Sequence, residues 1–170
     1  MRAFRHWSVR HAHGLKRFYD VFEGAIAAVE PVARAIGYAR LEKPVALIER
    51  GIKGAMFDCQ MCGQCALSST GMSCPMNCPK NLRNGPCGGV RQDLMCEVKP
   101  DMPCVWVKAW EGGRDLGGEA SILDVQKPVD HRLKGTSSWL KVMRDIRARR
   151  DGAPAPVRAS ARGLVGGPDR

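Results

Sequence analysis

The run Cys59-Gln-Met-Cys62-Gly-Gln-Cys65, then Cys74-Pro-Met-Asn-Cys78-Pro-Lys-Asn-Leu-Arg-Asn-Gly-Pro-Cys87-Gly-Gly, then Cys96 and Cys104, contains all eight cysteines of a 170-residue chain. Between Asp58 and Cys104 neither the helical nor the strand period of apolar residues is sustained. A segment of this kind cannot close a hydrophobic core unaided, so its order has to come from cross-links. In a reducing compartment clustered cysteines are better explained by metal than by disulfides. All eight are therefore candidate metal ligands: Cys59, Cys62, Cys65, Cys74, Cys78, Cys87, Cys96 and Cys104.

Three thiols at two-residue gaps can turn toward one iron-sulfur cluster while a fourth arrives from a distant position, and Cys-Pro steps such as Cys74-Pro75 and Cys78-Pro79 also close bacterial ferredoxin runs. Eight thiols with no histidine in the window divide into two sets of four, enough for two 4Fe-4S clusters. The same arithmetic allows two four-cysteine zinc sites, and spacing alone leaves both metals open. The reading adopted puts Cys59, Cys62 and Cys65 in one site with a later cysteine. Gly63, Gly85, Gly88 and Gly89 suit close approach of backbone amides to sulfur. Asn81 and Asn84 either brace the same turn or are ordinary turn residues, and Lys80 and Arg83 either offset cluster charge or face a partner, with solvated surface as the default reading for each. Trp106 and Trp139 read as core packing, with covers over the metal sites as the alternative.

Outward from the cysteines, Leu15, Phe18, Tyr19, Phe22, Ile26 and Val29 recur at helical spacing, so an amphipathic helix with a buried apolar side is expected, either as core or docked in a partner's groove. Pro31 is expected to end or kink it, with a short helical piece over Val32 to Ile36 stopped by Gly37. Residues 41–57 read as a link with one helical turn after Pro44. Val105 to Val107 reads as a short strand, and Gly112, Gly113, Gly117 and Gly118 as turns. Ser137 or Ser138 caps a last helix carrying Trp139, Leu140, Met143 and Ile146. The expected organisation is an N-terminal helical region over 1–57, a cysteine-rich metal-binding core over 58–106, a strand, turn and helix region over 107–150, and a disordered basic tail over 151–170. The fold class is a small α-rich, loop-dominated, metal-stabilised domain whose cysteine-rich core is flanked by amphipathic helices.

The formal charge of +10 sits at the ends of the chain: residues 59–104 carry four Lys/Arg against three Asp/Glu, and residues 141–170 eight against three. The tryptophans Trp106, Trp110 and Trp139 are not interleaved with Lys/Arg as a base-stacking groove requires, so no nucleic-acid partner is expected. The longest aliphatic run, Val45 to Ile48, is too short to span a bilayer, and Met1 to Arg17 lacks the apolar run of a secretory signal. No membrane association and a cytoplasmic location are expected. His6, His11, His13 and His131 are irregularly spaced and read as solvated. No phosphate loop or nucleophile elbow is present. The chain is thus read as non-catalytic.

The Cys-Pro-Lys to Cys-Gly-Gly stretch, with Cys59 to Cys65 before it and Cys96-Glu-Val and Cys104-Val-Trp after it, resembles the methylenetetrahydrofolate reductase C-terminal domain family. The resemblance runs from about Tyr19 through Leu140 and is strongest from Asp58 to Trp106. It implies a module fused to, or beside, a flavin-containing reductase barrel that converts methylene- to methyl-tetrahydrofolate in one-carbon metabolism. It further implies that the eight cysteines ligate 4Fe-4S clusters passing electrons to a flavin carried by the partner chain, in a hetero-oligomer with that reductase flavoprotein. The chain would then be the non-catalytic subunit of an oxidoreductase complex. Zinc-ribbon-like descriptions within the family keep a structural zinc module as the alternative.

Overall fold

The computed structural model describes residues 2–85, 87–116, 122–123 and 125–152. Five helices make up its regular structure: α1 (Arg2–Arg10), α2 (Ala12–Ile36), α3 (Tyr38–Phe57), α4 (Val105–Asp115) and α5 (Ser138–Arg150). Short 3-10 turns cover Pro75–Asn77 and His131–Leu133. The chain bends once between α1 and α2 at His11, whose ring stacks on Trp7 at 4.4 Å.

Helix α2 continues past Pro31 to Ile36, so the proline does not end it, and Val32 to Ile36 is its last stretch rather than a separate piece. The missing amide costs about 3 kcal/mol in a helix interior. Against that, Ile26 and Ala33, on either side of the proline, bury with Leu140 and Met143 of α5. Gly37 alone, at φ 98°, joins α2 to α3. A side chain is strained at that angle, so the one-residue corner depends on glycine.

Residues 41–57 are not a link: they belong to α3, which is continuous over Pro44. Its inner face is polar as well as apolar. Glu42 and Glu49, seven residues apart, both meet the start of α5: Ser137 donates its amide to Glu42 Oε1 (2.6 Å) and its hydroxyl to Glu49 Oε2 (2.6 Å). The Ser137 hydroxyl accepts from the Leu140 amide, so the expected serine cap is in place. Lys53, one turn beyond Glu49, pairs with it at 2.8 Å, and both are buried.

Val105 to Val107 is the first turn of α4, not a strand. The buried positions Val105, Ala109, Gly112 and Gly113 follow the helical period beyond the local valine pair. Gly112 and Gly113 lie inside this helix. At Gly112 a Cβ would run into the backbone of Gly71, and at Gly71 into the backbone of α4, so two glycines let a loop cross the helix in direct contact. The turns expected at Gly117 and Gly118 lie outside the described residues, as does residues 153–170 of the expected tail; Asp151 and Gly152 form a turn after α5.

Among the described residues of 58–104 there is no strand, only isolated bridges pairing Val90 with Cys96 and Met95 with Pro103. Asp58, Met61, Met72, Asn81 and Leu94 hold positive φ without being glycine, which uses an uncommon backbone region repeatedly in a short stretch. The apolar side of α2 is only partly covered: Phe18 and Val29 are exposed, as are Val21, Leu47, Ile48 and Ile52 on α2 and α3. Among the described residues no helix is long and apolar enough to cross a membrane.

Candidate metal centre

Helix α3 delivers the first ligand candidate. It closes on Asp58 in the left-handed conformation, and the Cys59 amide donates to the Lys53 carbonyl (3.3 Å). Positive φ at Met61 and Gly63 folds the next residues back into a tight loop. The Met61 amide points at Cys59 Sγ (3.4 Å), and Gly135 ties the loop down by donating to the Met61 carbonyl (2.7 Å). Asn77, in the turn after Cys74, donates to the Phe57 carbonyl and accepts from Gln60, each at 3.0 Å. The Cys59 loop and the Cys74 turn are thereby locked together.

Cys59, Cys62, Cys65 and Cys74 line one cavity of about 20 Å³. Burial, and then the charges of Cys59, Cys65 and Cys62, push the Cys74 thiol up to about 12. Burial also raises Cys59, opposed by the Met61 amide. Raised in this way, the Cys74 and Cys59 thiols give up their protons when a cation joins them. Cys65 is the one exposed cysteine of the eight.

The other four gather elsewhere. Cys78, Cys96 and Cys104 are buried together with Met102 and Trp106, and half-buried Cys87 packs against them. The bridges bring them there: the Cys96 amide donates to Met102 (2.9 Å) and the Cys104 amide to Leu94 (3.0 Å). The Gly89 amide points at Cys87 Sγ (3.4 Å). Gly85 lies flat against the Trp106 ring, leaving no room for a Cβ.

The eight sequence-predicted ligands thus fall into two sets of four, and the later cysteine joining Cys59, Cys62 and Cys65 in their cavity is Cys74. Among the described residues, no three His, Cys, Asp or Glu side chains converge closely enough to hold an ion. The donor chemistry nevertheless suits thiophilic metals, with four sulfurs and no competing imidazole in either set. Two buried donors are also unspent: the indole N–H groups of Trp106, beside the second set, and of Trp139 have no hydrogen-bond partner among the described residues. Each orphan costs about 1–3 kcal/mol unless an acceptor reaches it, and a metal-bound sulfur is such an acceptor.

Several neighbours correct the sequence reading. Arg83 is buried, not solvated: it donates to the carbonyls of Gln64 (2.6 Å) and Lys127 (3.0 Å) and reaches Cys62 Sγ at 3.9 Å. Lys80 is ion-paired with Glu97. Asn84 exchanges two hydrogen bonds with the backbone of Gln126 (3.0 and 2.7 Å), while Asn81 serves through its left-handed backbone. Lys53 is a further buried cation lining this cavity, one that no motif in the sequence marks. Burial works to lower its pKa, yet the charges of Cys65 and Glu49 outweigh that and hold it above its ordinary value. The available signal was the Glu42, Glu49, Lys53 stripe, legible once residues 41–57 are taken as helix.

The fold and this site define a small helical, cysteine-rich module whose thiols are presented in two groups. Residues 38–132, more than half of the chain, match the family described as methylene-tetrahydrofolate reductase C terminal, and the chain belongs to that family. The match is narrower than the span expected from the sequence, starting at α3 and stopping before α5. No curated protein and no solved structure matches the chain.

Proposed function

We propose that this chain is an iron-sulfur electron-transfer partner of a flavin-dependent methylenetetrahydrofolate reductase. Cys59, Cys62, Cys65 and Cys74 would hold one 4Fe-4S cluster, and Cys78, Cys87, Cys96 and Cys104 the other. The observation that carries the reading is the separation of eight thiols into two sets of four, together with membership of the reductase C-terminal family. When bound, such clusters supply one-electron redox chemistry, and a pair of them matches a flavin that takes two electrons.

The protein's own residues do the rest. The Met61 and Gly89 amides aim hydrogen bonds at Cys59 and Cys87, which favours thiolate and raises reduction potential. The 3-10 turn Pro75–Asn77 lies between Cys74 of the first set and Cys78 of the second, and the bridges fix Cys96 and the residue before Cys104. The exposed apolar residues of α2 and α3 suit a hetero-oligomer, with the flavin in the partner chain.

A structural zinc module is the second reading, and the size of the first cavity favours it: about 20 Å³ suits a single ion, whereas a cluster needs the 59–65 loop to move outward. Anaerobic purification followed by iron, zinc and sulfide analysis tests the choice. About eight iron and eight acid-labile sulfide per chain are expected. About two zinc per chain without sulfide contradicts the electron-transfer reading.

A further inference from the structure

Among the described residues two cations are buried, Lys53 and Arg83, and both line the cavity of Cys59, Cys62, Cys65 and Cys74. They come from unrelated places, one from the inner face of α3 and one from the loop after Cys78. No carboxylate pairs with Arg83 among the described residues. Its donors go to two carbonyls and to the Cys62 sulfur. Burying a guanidinium without an anion is costly, and two carbonyls offset only part of that cost.

Lys53 does have a carboxylate, but that charge is spread elsewhere. Glu49 accepts from Ser137, Ser138 and the Trp139 amide at the N-terminus of α5 as well as from Lys53. The carboxylate end of the pair is therefore held against the helix start, and the ammonium, which also donates to the Ser138 hydroxyl (2.7 Å) and lies 5.3 Å from the Trp139 ring centre, lines the same cavity as Cys65. The second set is built differently. Lys80, whose charge acts on Cys87 and Cys96 of that set, is partly solvated and already paired with Glu97.

We propose that Arg83, with Lys53 in support, is the built-in counter-charge of the first cysteine set, favouring its more negative states and setting it apart from the second set. This rests on the reading that the two sets hold separate centres. Four thiolates around a 4Fe-4S cluster leave about two net negative charges, and reduction adds one more. A fixed positive charge nearby favours the added electron. No proton moves with it, because an arginine does not titrate in the working range. The first set would then hold its electron more tightly than the second.

The test uses the full chain prepared anaerobically, with Arg83→Gln and Arg83→Lys. The metal and sulfide count of the parent protein decides the iron-sulfur reading on its own. With both clusters present, a potentiometric titration with dithionite as electron donor is followed by paramagnetic resonance. Arg83→Gln is expected to disfavour reduction of one centre by about tenfold, which is about 59 mV for a one-electron couple, and to leave the other centre in place. Arg83→Lys, which keeps the charge and loses the fork, is expected to stay near the parent value. Unchanged midpoints in Arg83→Gln, or an equal shift in Arg83→Lys, overturn the proposal.

If Arg83→Gln does not fold, Lys53→Gln is expected to shift the same centre in the same direction; a shift in the other centre or in neither contradicts it. If the parent holds zinc without sulfide, the electron-transfer reading falls and the counter-charge is read by chelator competition. Arg83→Gln is then expected to release one of two zinc ions about tenfold more readily, and Arg83→Lys not. Equal retention in both variants overturns the proposal.

Discussion

Glu49 shows how much one side chain carries here. Its carboxylate ties Lys53, Ser137, Ser138 and the Trp139 amide into one buried group. Glu49→Ala removes the anion from a buried lysine and is expected to cost about 3–5 kcal/mol in urea denaturation. Glu42→Ala, whose partner Arg144 is well exposed, is expected to cost only about 1 kcal/mol, chiefly the hydrogen bond to the Ser137 amide. Protons give a second test at this scale. Cys74, raised to about 12, and Cys59 hold their protons in the ligand-free fold at neutral pH. A metal must displace those protons, so raising the pH favours binding. Apparent affinity in a chelator competition is expected to climb by about tenfold per pH unit for each proton released between pH 6.5 and 8.5. A flat profile contradicts the protonated-thiol description.

Elements differ in how far local pattern betrays them. The α5 start was legible because Ser137, Ser138 and the apolar spacing after them are contiguous in sequence. Helix α3 was hidden by Pro44, Gly51 and Gly54, each locally unfavourable to helix, and it persists through the inward stripe of Glu42, Glu49 and Lys53 together with the packing of Leu41, Val45 and Phe57. The strand expected at Val105 failed for the same reason, since β-branched residues at a helix start are overruled by burial of Ala109 and Gly112 further on. In α4 two adjacent glycines separate packing from propensity. Gly113→Ala, with open space around its Cβ position, is expected to stabilise by about 0.5–1 kcal/mol. Gly112→Ala pushes a methyl into the Gly71 backbone and is expected to destabilise by about 1–3 kcal/mol despite the same gain in propensity. Paired denaturation curves of the two variants read the difference.

Across the whole molecule the apolar clusters divide the labour. One, of Ile26, Ala33, Leu140 and Met143, contains no cysteine and closes α2, α3 and α5 together. The other two include Cys74, or Cys78, Cys96 and Cys104, and under the proposed function a metal held by those thiols would complete them. After exhaustive chelation, hydrogen exchange is expected to lose protection at Cys96, Met102 and Cys104 while Leu140 and Met143 keep theirs; uniform protection contradicts a metal-held core. The grouping of thiols was half legible in sequence: three at two-residue gaps announce one site, but which of five later cysteines joins them is a matter of long-range folding. The burial of Arg83 is non-local as well, set by the carbonyls of Gln64 and Lys127 on either side of it in the chain.

The central claim is that two separate centres are held by two fixed sets of four thiols, and Cys74→Ser tests it most directly. In anaerobically prepared protein, its metal and sulfide content should fall to about half, with the spectrum of the remaining centre unchanged and the same loss in Cys59→Ser. Loss of both centres, or full occupancy of both, would contradict the account.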